Sequence, residues 1–534
     1  MAQGEGKGGD PLRVWVESSM VRVLPGDPAP PERVRPTARL TLAKGEYESF
    51  QVLLRPGAGR PLENVRLEVN DLICHTKGSR LRREQIEWHQ VGFVRVHETE
   101  QKGPAPIPWL EPGWYPDPLL PVEQFRVEPE FTQSVWVTVH APRGLPAGTY
   151  TGAITLHADG MKSLRILLRA TVHDFVIAPG AGHLRTAFAL RDNFIRHLYK
   201  GDEAMVRAYR DYVLDRLRLN PWDIWHDAPP PVEELERLRA RGMNAFPVCY
   251  LKDDTVSSEW PFAPSPKAVA EQLDTLAPAI QEIERRGLLP LGYIFGGDEV
   301  PREPPERIAQ VKEAFALVKR RYPNIPLMTT AHIPQEVETL RAYHLDALCP
   351  MWDWTDFERA EGLRKAGIRI WTYISLQPYP PYPNWRLDNP LLEARTIFWQ
   401  IYHQKFDAFL YWGLNIWDRP DNDQLIDPAA GPFLKWNITT ERGGTALGWL
   451  HGDGRLLYPG KNGPIGSIRL ANIRDGLEDY EYLWLLSHKM GDVEAGRQAC
   501  LPVASGLKEF TRDPEVLRVQ REAIARQLTA KPRR

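Results

Sequence analysis

Gly292-Tyr293-Ile294-Phe295-Gly296-Gly297-Asp298-Glu299 is a short apolar run that ends in two glycines and two adjacent carboxylates. Its apolar character, its length and its glycine boundaries predict a buried strand that gives way to a loop. Around it the chain repeats a rhythm of strand then helix. Predicted strands begin near Leu184, Pro221, Ala245, Leu291, Leu327, Ala347, Arg369 and Ala408. Predicted helices fall at 203–218, 232–241, 267–286, 305–321, 335–343, 357–365 and 391–404. Strands alternating with helices in this number predict a (β/α)8 TIM-type barrel, with the quoted run as the fourth strand. An open doubly wound sheet fits less well, because no Gly-x-Gly-x-x-Gly follows the first strand. Asp298 and Glu299 then stand at the C-terminal end of a barrel strand, where such barrels carry their catalytic groups.

The barrel is expected over 179–491, beginning after Ala178-Pro179-Gly180. Upstream, 12–178 reads as a β-sandwich. Val14-Trp15-Val16, Phe50-Gln51-Val52-Leu53-Leu54 and Val135-Trp136-Val137-Thr138-Val139 alternate or run apolar between turns, with no helical periodicity. The stretch 104–121, dense in Pro, Trp and Gly, reads as a long ordered loop or lip. Downstream, Leu470, Ile473, Leu477, Tyr480 and Trp484 recur at helical spacing and predict one apolar stripe, with Arg474 and Glu478 paired on the other face. A helical extension is expected over 492–534 and a disordered start over 1–11.

Composition narrows the function. The 534 residues contain 67 Lys plus Arg and 69 Asp plus Glu, a net charge of -2. This balance predicts neither a nucleic-acid footprint nor a basic membrane patch. No run approaches the ~20 apolar residues of a membrane span, and the polar, Gly-rich first residues contain no signal core. The sequence as it stands is therefore expected in the cytoplasm, or outside the cell if a signal has been removed. The four cysteines, at 74, 249, 349 and 500, are too scattered for a disulfide framework or a zinc site. His spacing suggests no metal, and no cofactor is expected. Gly460-Lys461-Asn462-Gly463-Pro464 lacks the spacing of a phosphate loop. Asp421-Asn422-Asp423 reads as a polar turn rather than a calcium site, and Asn437-Ile438-Thr439 is a glycosylation sequon by pattern only. The 18 Trp suit a carbohydrate binder as well as ordinary packing.

The adjacent acids suggest a particular sugar chemistry. A retaining glycosidase ordinarily places a nucleophilic carboxylate about 5–5.5 Å from its general acid, and barrel glycosidases often carry it on strand seven. Here Arg369-Ile370-Trp371-Thr372-Tyr373-Ile374-Ser375 ends without a carboxylate, and the next acid is Asp388. A 2-acetamido sugar can supply its own nucleophile, the amide carbonyl oxygen. The enzyme then needs one acid for the leaving oxygen and one carboxylate to orient the amide N–H, and neighbours can serve. Glu299 is read as general acid/base and Asp298 as the amide-orienting group. The ordinary alternative is that Asp-Glu merely opens the next helix.

Later strand ends supply candidate substrate contacts. Met351-Trp352-Asp353-Trp354 ends strand six, and Tyr411-Trp412-Gly413-Leu414-Asn415-Ile416-Trp417-Asp418 covers strand eight and its loop. Tyr373 is the expected donor to the acetamide carbonyl. Trp352, Trp412 and Trp417 are candidate walls, each equally compatible with a place in the core. Asn415 and Asp353 are further substrate contacts. Asp353 and Asp418 are the reserve nucleophiles if the sugar has no acetamide. A barrel that binds carbohydrate without turning it over is the alternative outside enzymes.

Several phrases together resemble glycoside hydrolase family 123 and its relatives. These are Gly45-Glu46-Tyr47-Glu48-Ser49-Phe50-Gln51, Leu145-Pro146-Ala147-Gly148-Thr149-Tyr150-Thr151-Gly152, Gly297-Asp298-Glu299 and Gly452-Asp453-Gly454 through Tyr458-Pro459-Gly460. The most specific runs from Ile468-Arg469-Leu470 through Arg474-Asp475-Gly476-Leu477-Glu478-Asp479-Tyr480-Glu481-Tyr482. The resemblance implies a β-sandwich on a (β/α)8 barrel. It also implies a retaining, substrate-assisted β-N-acetylgalactosaminidase acting on oligosaccharide or glycoconjugate termini, with Asp298 and Glu299 as its catalytic pair.

Overall fold

The structure, a computed structural model, describes residues 12–32, 35–96, 112–252, 264–299, 305–330, 333–417, 423–437 and 451–530. Its first part is two stacked sheets. One orders Arg13–Ser18, Glu46–Arg55, Gln133–Ala141 and Ile86–Val96, with Gly113–Leu120 beside the last. The other orders Thr37–Lys44, Leu164–Val176, Gly148–His157, Leu62–Val69 and Phe125–Val127. Alternate residues such as Phe50, Val52, Leu54 and Val137 meet Leu40, Ile154, Ile166 and Leu168 in a buried layer between them. Part of the stretch read as a loop is thus a strand, Gly113–Leu120; residues 104–111 lie outside the described residues. Pro116 and Pro118 hide it from a propensity reading, yet its one ladder among the described residues is to Ile86–Val96, with a single bridge to Ser467 beyond, and such an edge position tolerates missing N–H donors.

The second part is a parallel near-barrel ringed by helices. Seven strands pair in the order Arg185–Phe188, Ala408–Tyr411, Arg369–Ile374, Ala347–Leu348, Leu327–Thr330, Gly292–Asp298 and Phe246–Tyr250. The strand expected near Pro221 is instead an extended segment lacking a ladder. Side chains close the gap there: Asn220 donates to the Thr186 carbonyl, and its Oδ1 accepts from the backbone N–H groups of Asn244 and Ala245. Proline at 221 removes a donor that a ladder would need. A short helix, Asp192–Leu198, precedes this segment and was not legible in the periodicity. Inside the barrel Tyr293, Phe295, Met328, Cys349, Met351, Trp371, Tyr373 and Leu410 form one buried cluster. Residues of opposite parity, such as Ile294, Leu327 and Ile370, pack outward against helices.

The two parts share a sheet and a buried ion network. Phe433–Asn437 adds to Ile86–Val96 in parallel. Glu48 and Asp479 both receive Arg395, at 3.0–3.1 Å and 2.7–3.0 Å. Arg521 reaches Asp479 at 2.8 Å, and the Tyr482 hydroxyl donates to Glu46 at 2.6 Å. The Tyr47 N–H donates to Glu478. The long helix Ile468–Met490 is consequently buried around most of its circumference rather than along one stripe. Arg474 does not form an exposed pair with Glu478: it lies buried, its guanidinium on Asp475 and the Ser49 hydroxyl. Gly476 permits the crossing with Leu391–His403, because a Cβ there would lie 2.5 Å from Phe398 and 3.0 Å from the Arg395 carbonyl.

Candidate active site

Adjacent residues of a strand point to opposite faces, so an adjacent pair cannot both face a barrel mouth without a departure from strand geometry. The fourth strand makes two such departures. Tyr293 and Phe295 face the interior, and Gly296 faces out, where a Cβ would lie 2.7 Å from the Phe315 ring. Strict alternation would then turn Asp298 outward. The ladder instead pairs Phe295 with Met328 and Asp298 with Thr330, so three steps along this strand match two along its neighbour. The extra residue is a bulge at Gly296-Gly297, a device that re-aims side chains near sites. It puts Asp298 on the interior face, where Thr330 donates to Asp298 Oδ1 at 2.6 Å.

The second departure follows at once. Glu299 has φ of +48°, the left-handed region that side chains other than glycine seldom adopt. The turn brings its carboxylate back across the barrel. Oε1 accepts from the Tyr373 hydroxyl of the seventh strand at 2.7 Å, and the Glu299 N–H donates to the Thr330 hydroxyl at 3.0 Å. Burial, followed by the nearby Glu299 and Asp298 carboxylates, pushes the Tyr373 phenol well above its ordinary range, so it stays a protonated donor. The strand ends therefore hold a general-acid candidate, a second carboxylate and a phenol in one constellation.

The other expected contacts divide. Trp412 lies half-buried at the end of the eighth strand, and its indole N–H donates to Asp453 at 2.9 Å. Asp353 sits half-buried in the turn after the sixth strand. Trp352 is not a wall: it is 0% exposed and packs outward on Phe406 and Phe409. Its neighbour Trp354, at the other end of the same 3-10 turn, packs on the interior cluster. Trp417 is likewise buried, against Tyr209 and Trp436, with its N–H on the Leu457 carbonyl. Asn415 is consumed by the Arg191 backbone, to which it both donates and accepts. Asp418 lies outside the described residues, as do Asp421, Asn422, Ile438 and Thr439.

Thr330, Trp225, Tyr250 and Trp354 were missed. Trp225 packs on Phe295 from the extended segment at the second barrel position and Tyr250 from the end of the third strand, and the Trp225 indole donates to the Trp412 carbonyl. The strand-end rule that found Asp298 applies to Thr330 and Tyr250 too, since each closes its own strand. Asp388, the acid that follows the seventh strand, is buried with one oxygen 3.3 Å from His451 Nδ1. Among the described residues no cluster of His, Cys, Asp or Glu is arranged to hold a metal ion.

Known proteins match both halves of the chain. The profile described as "Glycoside hydrolase 123, catalytic domain" covers residues 293–486, and that described as "Glycoside hydrolase 123 N-terminal domain" covers 26–158. No curated protein sequence matches the chain significantly. Among solved structures, a family 123 glycoside hydrolase from Clostridium perfringens, analysed for glycolipid glycan hydrolysis, is similar at a TM-score of 0.70 and 14% identity. That alignment covers 97% of each chain. A Bacteroides ovatus xyloglucanase aligns over 82% of this chain and 98% of its own, at 10% identity and a TM-score of 0.25, too low to bear on the fold. The catalytic profile contains the acidic pair, the sandwich carries the family's second profile, and the shared architecture runs the length of the chain. The protein is a glycoside hydrolase and belongs to glycoside hydrolase family 123.

Proposed function

We propose that the protein removes β-linked N-acetylgalactosamine, or another N-acetylhexosamine, from oligosaccharide or glycoconjugate termini with retention, the substrate acetamide serving as nucleophile. The observation that carries this is the convergence of Asp298 and Glu299 on the barrel interior through a bulge and a left-handed turn. A pair so close suits two tasks on one side of a sugar ring better than nucleophile and acid across it. In this reading Glu299 protonates the glycosidic oxygen as the C1–O bond breaks. The acetamide carbonyl oxygen bonds to C1, and Asp298 accepts the amide N–H and stabilises the oxazolinium. Water, giving its proton to Glu299, then opens the ring from the face the leaving group occupied. Tyr373, which bonds Glu299 in the absence of substrate, donates in this reading to the acetamide carbonyl once substrate displaces that bond. Trp225, Tyr250, Trp354 and Trp412 are candidate walls.

A conventional nucleophile is the competing reading, and Asp353 is its described candidate. Burial pushes the Asp353 carboxyl up from its ordinary range. A panel of aryl β-glycosides separates the two. Turnover of N-acetylgalactosaminides without turnover of galactosides, with inhibition by an acetamido-thiazoline, is expected. Equal turnover of plain galactosides would contradict the acetamide mechanism. No turnover of any member, with retained sugar binding, would identify a carbohydrate-binding barrel.

A further inference from the structure

The hydroxyl of Thr330 meets both acidic residues at once. It donates to Asp298 Oδ1 at 2.6 Å and accepts the Glu299 N–H at 3.0 Å, while the residue itself is buried at the end of the neighbouring strand. Thr329, the residue before it, donates to the Gly297 carbonyl at 2.7 Å, so consecutive threonines clasp the bulge and the turn that follows. A hydroxyl can give one hydrogen bond and accept another, and here each has a distinct consequence. The donated proton occupies Oδ1 and fixes the plane of the Asp298 carboxylate. The accepted N–H helps hold Glu299 in a backbone conformation that costs a side-chain-bearing residue energy. Resting on the catalytic roles proposed for Asp298 and Glu299, we infer that Thr330 is the positioning residue of the pair. It sets which way each carboxylate faces and so divides their two tasks.

The consequence differs from that of losing either acid. A change at Asp298 removes the group that meets the acetamide, and a change at Glu299 removes the group that protonates the leaving oxygen. A change at Thr330 disturbs both. Thr330→Val keeps the branched shape and deletes the hydroxyl; Thr330→Ser keeps the hydroxyl. With aryl N-acetylgalactosaminides, Thr330→Val is expected to lower kcat by about 100-fold with little change in KM. Its loss should be larger for poor leaving groups, and its acetamido-thiazoline should bind more weakly. Thr330→Ser should restore both properties. Thr330→Ala, which lacks the hydroxyl without added bulk, should repeat the Val result and replaces it if Val fails to fold. A Val variant with wild-type kcat and thiazoline affinity would overturn the inference, as would a Ser variant as impaired as Val. Asp298→Asn and Glu299→Gln, assayed alongside, separate the two levels. If they lose activity while Thr330→Val does not, the positioning role fails alone. If they keep full activity, the catalytic roles beneath it fail.

Discussion

Glu299→Gln is expected to slow hydrolysis of saccharide and other poor-leaving-group substrates by ~10²–10⁴-fold, the usual range for a lost general acid. Glycosides of strongly acidic phenols should be affected far less, because those leaving groups depart without a proton. The amide preserves size and one acceptor oxygen, so the Tyr373 hydroxyl keeps a partner in place of the Glu299 carboxylate it bonds at 2.7 Å. The diagnostic quantity is the slope of log kcat/KM against leaving-group pKa. It should steepen in the variant, and a slope identical to wild type would remove Glu299 from the acid role.

Arg395→Leu is expected to produce the largest loss of stability. Arg395 is buried and satisfies Glu48 from the sandwich together with Asp479 from the long C-terminal helix, with an Asp475 oxygen 3.8 Å from its guanidinium. Removing the cation leaves Glu48 and Asp479 buried with Arg521 as the cation that still reaches both. Breaking one side of a buried pair costs about 3–5 kcal/mol, more than an exposed pair by several-fold. Denaturant unfolding should show a clearly lower midpoint, whereas an unchanged midpoint would mean that the network contributes nothing to joining the two parts. Arg395 lies on the outer helix layer, on Leu391–His403, so the effect should fall on stability before it falls on leaving-group dependence.

This network shows what the sequence conveyed and what it concealed. Gly45-Glu46-Tyr47-Glu48-Ser49 and Arg474-Asp475-Gly476-Leu477-Glu478-Asp479-Tyr480 were legible as family phrases, but not as two halves of one contact. Residues that meet across more than 400 positions leave no local periodicity. Strong local patterns were read well: the helices expected at 305–321 and 357–365 are Pro305–Arg321 and Phe357–Lys365. The second barrel position failed because an apolar extended segment looks like a strand whether or not it ladders. Trp352 was chosen over Trp354 because the run was read as a strand end, whereas Trp352–Trp354 is a 3-10 turn that points the two indoles in different directions. At the site, Asp298-Glu299 was legible as a pair at a strand end, but the bulge and positive φ that make the pair converge were not. The two glycines marked the place without revealing the geometry.

The central claim is that the substrate's own acetamide attacks the anomeric carbon. Its most direct test is kcat/KM across aryl β-N-acylgalactosaminides with successive fluorine substitution on the acyl methyl, which weakens the carbonyl oxygen as a nucleophile while changing size little. Participation predicts a steep fall in rate with each fluorine, in parallel with the loss of carbonyl basicity. A flat series would contradict it and return the nucleophile to a protein carboxylate.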